Sequence, residues 1–112
     1  MLTFRNPSTV AKPGAAYSHA IEVPPAARWL HISGQVGLAP DGRPGEGFAE
    51  QAEFAWKNIL AILADAGMAV PDLVKVTSFL TRPGDIATYR TIRDRFQAGH
   101  RPASTLLVVA GL

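Results

Sequence analysis

The sequence has no cysteine, no long apolar run and little net charge, and each absence excludes a class of protein. Without cysteine there are no disulfides, thiolate metal ligands or cysteine nucleophiles, which fits a reducing compartment. No run approaches the ~20 apolar residues that a membrane span needs, and the first residues lack a signal-peptide core. A formal charge of +2 gives nucleic-acid binding no support. We expect a cytoplasmic protein without membrane contacts.

Signatures of metal and nucleophile chemistry are also missing. The three histidines, His19, His31 and His100, show no metal-ligand spacing, whereas a zinc site needs three or four converging ligands. No serine lies in a G-x-S-x-G elbow, since Ser33 precedes Gly34 inside a predicted strand. We therefore predict no metal, no cofactor and no Ser-His-Asp triad.

The chain does contain enough apolar material for one compact domain over residues 1–112, since 47% of its residues are hydrophobic. Apolar residues at helical spacing predict a helix over Gln51–Asp65. Gly67 is placed to end it. Residues Val74–Thr81 alternate with a period of two, which predicts a strand. This helix–strand unit organises the rest of the fold.

Segments on either side of that unit predict the remaining elements. A four-residue connection that contains Pro24 and Pro25 separates two strand-like runs and predicts a hairpin. Asp85 can cap a second helix, which Gly99 ends. The remaining predicted segments are a short edge strand at Leu2–Arg5, hairpin strands Ala15–Val23 and Arg28–Val36, a turn-rich loop from Gly37 to Gly47, and a strand over Ser104–Leu112.

The element order predicts an α+β fold with a mixed sheet and two helices. Right-handed crossovers place both helices on one face of that sheet. The last strand nevertheless carries apolar residues on both sides, and the chain has no third layer to cover the second face. We expect another copy of the protein to cover it, and so an oligomer.

The predicted hairpin gathers a candidate binding site. If Val23 pairs with Arg28, then Tyr17 faces Gly34 across the ladder and lies near Ser33. Glycine inside a strand marks either a plain bulge or a close approach by another backbone or a ligand. Under the second interpretation, hydroxyl groups and open backbone form a small polar pocket suited to a carbonyl or carboxylate.

Arginine is concentrated late in the chain and leaves three interpretations open. Arg90 and Arg93 lie on neighbouring faces of the second helix, while Arg95 points away. The default is a solvated helix surface. The alternatives are an anion site that uses Arg90 or Arg101, and a weak RNA-binding face.

Short motifs along nearly the whole chain resemble the RidA/YjgF family, the small Rid proteins associated with hydrolysis of reactive enamines and imines. The matching motifs are Gly14-x-x-Tyr17-Ser18, Leu30-His31-Ile32-Ser33-Gly34-Gln35, Gln51 with Asn58 seven residues later, Ala66-Gly67, Asp72-Leu73-Val74-Lys75-Val76-Thr77, and Pro102-Ala103. The resemblance implies a chorismate-mutase-like fold and a homotrimer whose sheets form a central barrel. It also implies ligand pockets between subunits.

The sequence departs from the family pattern at positions that matter for catalysis. The family's deaminating members have Pro-Ala-Arg, whose arginine clamps the substrate carboxylate, but the third position here is Ser104. A common asparagine on the second helix is replaced by Arg90, and a pocket phenylalanine by Ile86. The family also uses a glutamate on a further, final strand. This sequence ends at Leu112, so either the chain is truncated or that sheet edge is open.

Three functions follow from the resemblance and its departures. The first is hydrolysis of enamine or imine intermediates, similar to 2-iminoacids, with release of ammonia at an intersubunit pocket. The expected ligand-binding residues are Tyr17, Ser33, Gly34, Ile86, Arg90, Arg101 and Ser104, and no water-activating group can be named. The second is a non-enzymatic metabolite-binding or partner-binding trimer, favoured by the missing arginine and glutamate. The third is ribonuclease activity, for which the sequence lacks a His-His or His-Glu pair.

Overall fold

The computed structural model describes every residue from Met1 to Leu112. Its elements are, in chain order, β1 (Thr3–Arg5), β2 (Ala20–Glu22), α1 (Gly47–Asp65), β3 (Lys75–Leu80), α2 (Ile86–Gln97) and β4 (Ala103–Val108). Single 3₁₀ turns at Val70–Asp72 and Pro83–Asp85 precede β3 and α2. The fold is therefore α+β, as predicted. Neither helix is long and apolar enough to cross a bilayer.

The strands form two small sheets instead of the single mixed sheet that the sequence predicts. β1 pairs antiparallel with β2, placing Phe4 opposite Ile21. β3 pairs in parallel with β4, placing Val76 opposite Ser104 and Phe79 opposite Leu107. The β3–α2–β4 crossover thus forms as expected.

The predicted hairpin between Ala15–Val23 and Arg28–Val36 is wrong. Of these residues only Ala20–Glu22 is a strand, and its partner is β1; residues 28–36 form no strand. The prolines of the connection explain this, because Pro24 and Pro25 have no N–H to donate where the ladder would begin. Tyr17 consequently has no ladder partner at Gly34.

Helix α1 begins four residues before its predicted start and ends where Gly67 predicts. Gly67 has φ +70°, and its N–H donates to the carbonyl of Ala64 at 3.0 Å. The N–H of Met68 donates to the carbonyl of Leu63 at 2.8 Å. This pair of hydrogen bonds is a Schellman motif, and it requires the left-handed conformation that glycine adopts without strain.

The core lies between the two helices and one face of the β3–β4 sheet. Trp56 and Leu63 of α1 pack with Tyr89 and Ile92 of α2 and with Leu80 of β3. Both helices therefore cover the same side of this sheet, as the crossover argument predicts.

The opposite side of the β3–β4 sheet is exposed. Phe79 and Leu107, paired across the two strands, keep 49% and 45% of their surface accessible. Thr77 and Thr105 precede them on the same side and are also exposed. The uncovered apolar face predicted from the last strand is present in this subunit.

Candidate functional site

The first residues of β4 are joined to the segment around Tyr17. Ser18 forms an isolated parallel bridge with Ala103, and its N–H donates to the carbonyl of Pro102 at 3.1 Å. The Ser18 hydroxyl donates to the carbonyl of Arg101 at 2.5 Å. Ser18 is 2% exposed, so this is a buried anchor. It aligns Tyr17 with the start of β4, which sequence reasoning did not find.

Tyr17 itself is half-buried beside this anchor. Its ring meets the ring of His19 edge-on, with centroids 5.9 Å apart, which is a favourable aromatic geometry. Its N–H donates to the carbonyl of Ala15 at 2.9 Å, while its hydroxyl has no hydrogen-bond partner within the subunit. The hydroxyl is therefore free to bind a ligand.

Ser104 and Arg101 lie next to the same anchor. Ser104 is half-buried on β4 opposite Val76, and strand alternation turns it toward the helix side of the sheet. Arg101 is exposed, and no carboxylate lies within 4.0 Å of its guanidinium. Position 104 thus offers a hydroxyl group. The cationic side chain nearest to it in the sequence is Arg101, which has no carboxylate partner.

The remaining arginines of α2 divide into exposed and buried groups. Arg90 is exposed and has no carboxylate partner, which fits the solvated-surface interpretation as well as an anion site. Arg93 is 3% exposed, and its Nε donates to the carboxylate of Asp94 at 3.0 Å. Arg95 is bound to Glu53 of α1 at 2.9 Å. Arg90 is therefore the only one of these three that is available to a ligand.

Ser33 and Gly34 lie in an exposed loop segment instead of a strand. The carbonyl of Ser33 accepts a hydrogen bond from Gln35 Nε2 at 3.2 Å. A Cβ added to Gly34 would have nothing within 4 Å, so no backbone approaches this glycine. Since the segment is not a strand, the plain-bulge interpretation is wrong, and no backbone of the subunit approaches Gly34; its approach by a ligand stays a prediction. No hydrogen bond connects this segment to Tyr17.

Two residues of α1 position the loop that follows Gly34. Gln51 and Asn58 are seven residues apart, two helical turns, and therefore lie on one face of the helix. Gln51 Nε2 donates to the carbonyl of Gly45 at 3.3 Å, and Asn58 Nδ2 donates to the carbonyl of Leu38 at 3.0 Å. Their spacing was visible in the sequence, but their partners were not.

Ile86 is the first residue of α2 and packs against the hydrophobic core. It is half-buried. It follows the end of β3, and the rest of α2 separates it along the chain from the start of β4. Within the subunit the side chain of Ile86 packs as a core residue does, so only its solvent-exposed surface could contact a ligand.

A carboxyl with a shifted pKa lies at the start of α1, outside these segments. The backbone N–H of Glu46 donates to the carboxylate of Glu50 at 3.1 Å and lowers the pKa of that carboxyl, and Arg43 adds to the effect. Glu50 lies in the first turn of α1, where a negative charge also favours the helix dipole. Glu50 therefore stabilises the helix start.

Sequence comparison identifies the family. The endoribonuclease L-PSP family model matches residues 8–112. The chain belongs to the Rid (RidA/YjgF, L-PSP) family. This confirms the resemblance that the short motifs indicated, and the match includes Tyr17, the Ser33–Gly34 segment, both helices and β4.

Individual Rid proteins resemble the chain over most of its length. The mouse protein named 2-iminobutanoate/2-iminopropanoate deaminase is 38% identical over 110 residues, covering 94% of this chain and 78% of the relative. The yeast protein MMF1, named as mitochondrial, is 32% identical over 105 residues, covering 92% and 70%. A crystal structure of the Rid protein YyfB from Yersinia pestis superposes with a TM-score of 0.87 at 27% identity, covering 99% of this chain and 87% of that one.

Proposed function

We propose that this Rid protein hydrolyses a 2-iminoacid to the corresponding 2-oxoacid and ammonia, in a pocket completed by neighbouring subunits of a homotrimer. The observation that carries the proposal is the buried Ser18 anchor, because it holds the Tyr17 segment against Arg101 and Pro102 at the start of β4. The proposal is supported by the similarity to the mouse iminoacid deaminase. The cytosol remains our predicted compartment, although the named yeast relative is mitochondrial.

The chemistry requires one water and no redox step. Water adds to the C=N carbon, the nitrogen takes up the protons, and the C–N bond breaks to leave a carbonyl and ammonia. The Tyr17 hydroxyl would donate to the substrate, and Ser33 with the Gly34 backbone would bind its carboxylate end from a neighbouring part of the pocket. Ile86 would contribute an apolar wall. Fixed hydrogen-bond donors and orientation would supply most of the rate gain.

The residue that would bind the substrate carboxylate differs from the family pattern. Ser104 offers one hydroxyl where a guanidinium fork would make two charge-assisted hydrogen bonds. Arg101 and Arg90 carry cations that no carboxylate of the subunit neutralises. We propose that one of them attracts the substrate carboxylate from another direction.

Turnover of 2-iminobutanoate tests the proposal. An amino-acid oxidase generates the imine from L-2-aminobutanoate, and semicarbazide trapping reports how fast the imine disappears. We expect the wild type to accelerate its loss and Tyr17→Phe to lower kcat/KM by about tenfold, the cost of one hydrogen bond. Arg101→Ala or Arg90→Ala raises KM, whereas Arg82→Ala, which removes an exposed unpaired arginine on the β3–α2 connection, changes nothing.

The same assay tests whether the absence of an arginine at position 104 weakens substrate binding. Ser104→Arg restores the guanidinium and should lower KM for the iminoacid. Equal turnover by the wild type and Tyr17→Phe, or no acceleration by the wild type, contradicts catalysis at this site.

A second candidate is metabolite binding without turnover, which the neutral Ser104 favours. In that case 2-oxobutanoate raises the melting temperature through binding linkage, but the imine decays at its uncatalysed rate. Ribonuclease activity, named in the family model, has less support. His19 contacts the Ala11 carbonyl, His31 stacks on Trp29, and His100 contacts the Leu73 carbonyl, so no two histidines act as an acid–base pair.

A further inference from the structure

A second candidate site is the pocket between β1, the segment that follows β2, and the turn between α1 and β3. Its volume is about 540 Å³. That is within the range of roughly 300–1,000 Å³ in which proteins bind small ligands. None of the seven candidate residues of the proposed imine site lines it. The pocket is thus independent of the proposed function.

Two aromatic side chains give this pocket an apolar lining. Phe4 and Trp29 both line it, and they keep 48% and 57% of their surface exposed. Each ring contacts a histidine: Phe4 meets His100, which also lines the pocket, edge-on with centroids 5.7 Å apart, and Trp29 stacks on His31 at 6.3 Å. Met68, a flexible side chain that adapts to ligand shape, adds to the lining. Exposed aromatic surface of this kind is suited to an apolar side chain.

Besides Met1 with its α-ammonium, the pocket lining holds one charged side chain of each sign, and these two side chains are not paired. The guanidinium of Arg28 makes a single long hydrogen bond, 3.3 Å, to the carbonyl of Ala66, and no carboxylate lies within 4.0 Å of it. Asp72 accepts the N–H of Ala69 through Oδ2 at 2.9 Å, which leaves Oδ1 without a partner. Both side chains line the pocket, yet they form no ion pair with each other.

We propose that this pocket binds a free α-amino acid with a large apolar side chain. Its carboxylate would accept hydrogen bonds from the guanidinium of Arg28, and its ammonium would donate to Oδ1 of Asp72. Its side chain would lie against Phe4 and Trp29. A ligand with one charge would pair with one of these groups and approach the other as a like charge. A zwitterion satisfies both, and the aromatic wall selects a large side chain over a small one.

The two tryptophans make the test specific. Trp29 lines the pocket, whereas Trp56 is 2% exposed in the core, so the protein gives two indole N–H signals in a ¹H–¹⁵N spectrum. Trp29→Phe assigns them. We expect L-phenylalanine and L-leucine to shift the Trp29 signal saturably and to leave the Trp56 signal in place. Glycine, which keeps both charges and lacks the side chain, should bind at least tenfold more weakly.

Matched variants test the charges. Arg28→Gln and Asp72→Asn should each weaken L-phenylalanine binding about tenfold or more, the usual effect of losing one charge-assisted contact. Arg82→Gln is the control for the arginine. Asp41→Asn is the control for the aspartate, because Asp41 likewise accepts one backbone N–H, that of Arg43, at 2.9 Å. Neither control should change the affinity.

Three results would overturn the proposal: no saturable shift of the Trp29 signal, equal binding of 3-phenylpropanoate or phenethylamine, or unchanged affinity in both Arg28→Gln and Asp72→Asn. A failure of imine turnover leaves these outcomes unaffected, since no residue of the imine site lines this pocket. Conversely, the pocket variants should retain the wild-type rate of iminobutanoate loss.

Discussion

At the scale of single residues, the loop after Gly34 is fixed by close contact with α1. A Cβ added to Gly37 would lie 2.4 Å from the Cα of Gln51, and one added to Gly45 would lie 2.7 Å from its N. These are backbone contacts that a side-chain rotation cannot relieve. The glycines thus let the loop approach the helix closely enough for the hydrogen bonds from Gln51 and Asn58.

A pair of glycine substitutions tests this close approach. We predict that Gly37→Ala lowers the free energy of unfolding by about 1–3 kcal/mol, because the loop or the helix must shift to admit the methyl group. Gly34→Ala, only three residues away, places its methyl group in open space and should stay within about 0.5 kcal/mol of the wild type. Urea denaturation of both variants measures the difference, and similar midpoints for the two would contradict it.

At the scale of elements, α2 presents a stripe of polar residues to the interior. Tyr89, Arg93 and Gln97 follow one another at intervals of four, and all three are buried. The Tyr89 hydroxyl is satisfied by Ser78 at 2.5 Å. The Gln97 amide, 1% exposed, has no partner for either its nitrogen or its oxygen, and Arg93 Nη2, although 3.0 Å from Asp94, makes no hydrogen bond. Because these buried atoms of Arg93 and Gln97 lack hydrogen-bond partners, they lower the stability of the subunit.

Replacing Gln97 should make the protein more stable. Gln97→Met keeps the shape of the side chain and removes two unsatisfied polar atoms, so we predict a gain of about 1 kcal/mol or more in the free energy of unfolding. The same change at the exposed Gln51 loses one 3.3 Å hydrogen bond and should give no gain. Thermal and urea unfolding compare the two. A loss of stability in Gln97→Met would mean that the amide has a partner in the assembled protein.

Elements that depend on local signals were predictable, and those that depend on distant partners were not. The period of apolar residues and Gly67 predicted α1, and alternation predicted β3 within one residue at each end. The hairpin was wrong because pattern alone does not show that β2 would pair with β1, far back in the chain. The Ser18–Ala103 bridge joins residues that are 85 positions apart. No local sequence pattern could predict it, for the same reason. Tyr17, Ser33 and Gly34 were proposed from the predicted hairpin register. Arg90 and Arg101 were proposed from the concentration of arginine late in the chain, and Ile86 and Ser104 from the resemblance. The ligand roles of all seven remain predictions.

At the scale of the whole molecule, the subunit has a small core and an open face. Thirteen of 112 residues are buried, and the side of the β3–β4 sheet that faces away from the helices presents Phe79 and Leu107. Exposed apolar surface of this kind is usually covered by a partner. The homotrimer with a central barrel, which the family resemblance implies, would bury this face against two further copies.

Charge placed on that face should therefore dissociate the assembly. We predict that the 11.9 kDa chain sediments as a trimer at micromolar concentration and that Leu107→Glu sediments as a monomer, because assembly would bury three like charges around one axis. Val10→Glu is the control: Val10 is 48% exposed, close to the 45% of Leu107, but lies in the segment before β2. It should remain trimeric.

The Leu107→Glu variant also separates the two sites. If the pocket for the iminoacid needs neighbouring subunits, Leu107→Glu loses imine turnover as well. The Trp29 signal should still respond to L-phenylalanine, since that second pocket is complete within one chain. A monomeric wild type, or dissociation of both variants alike, would remove the assembly on which the imine site depends.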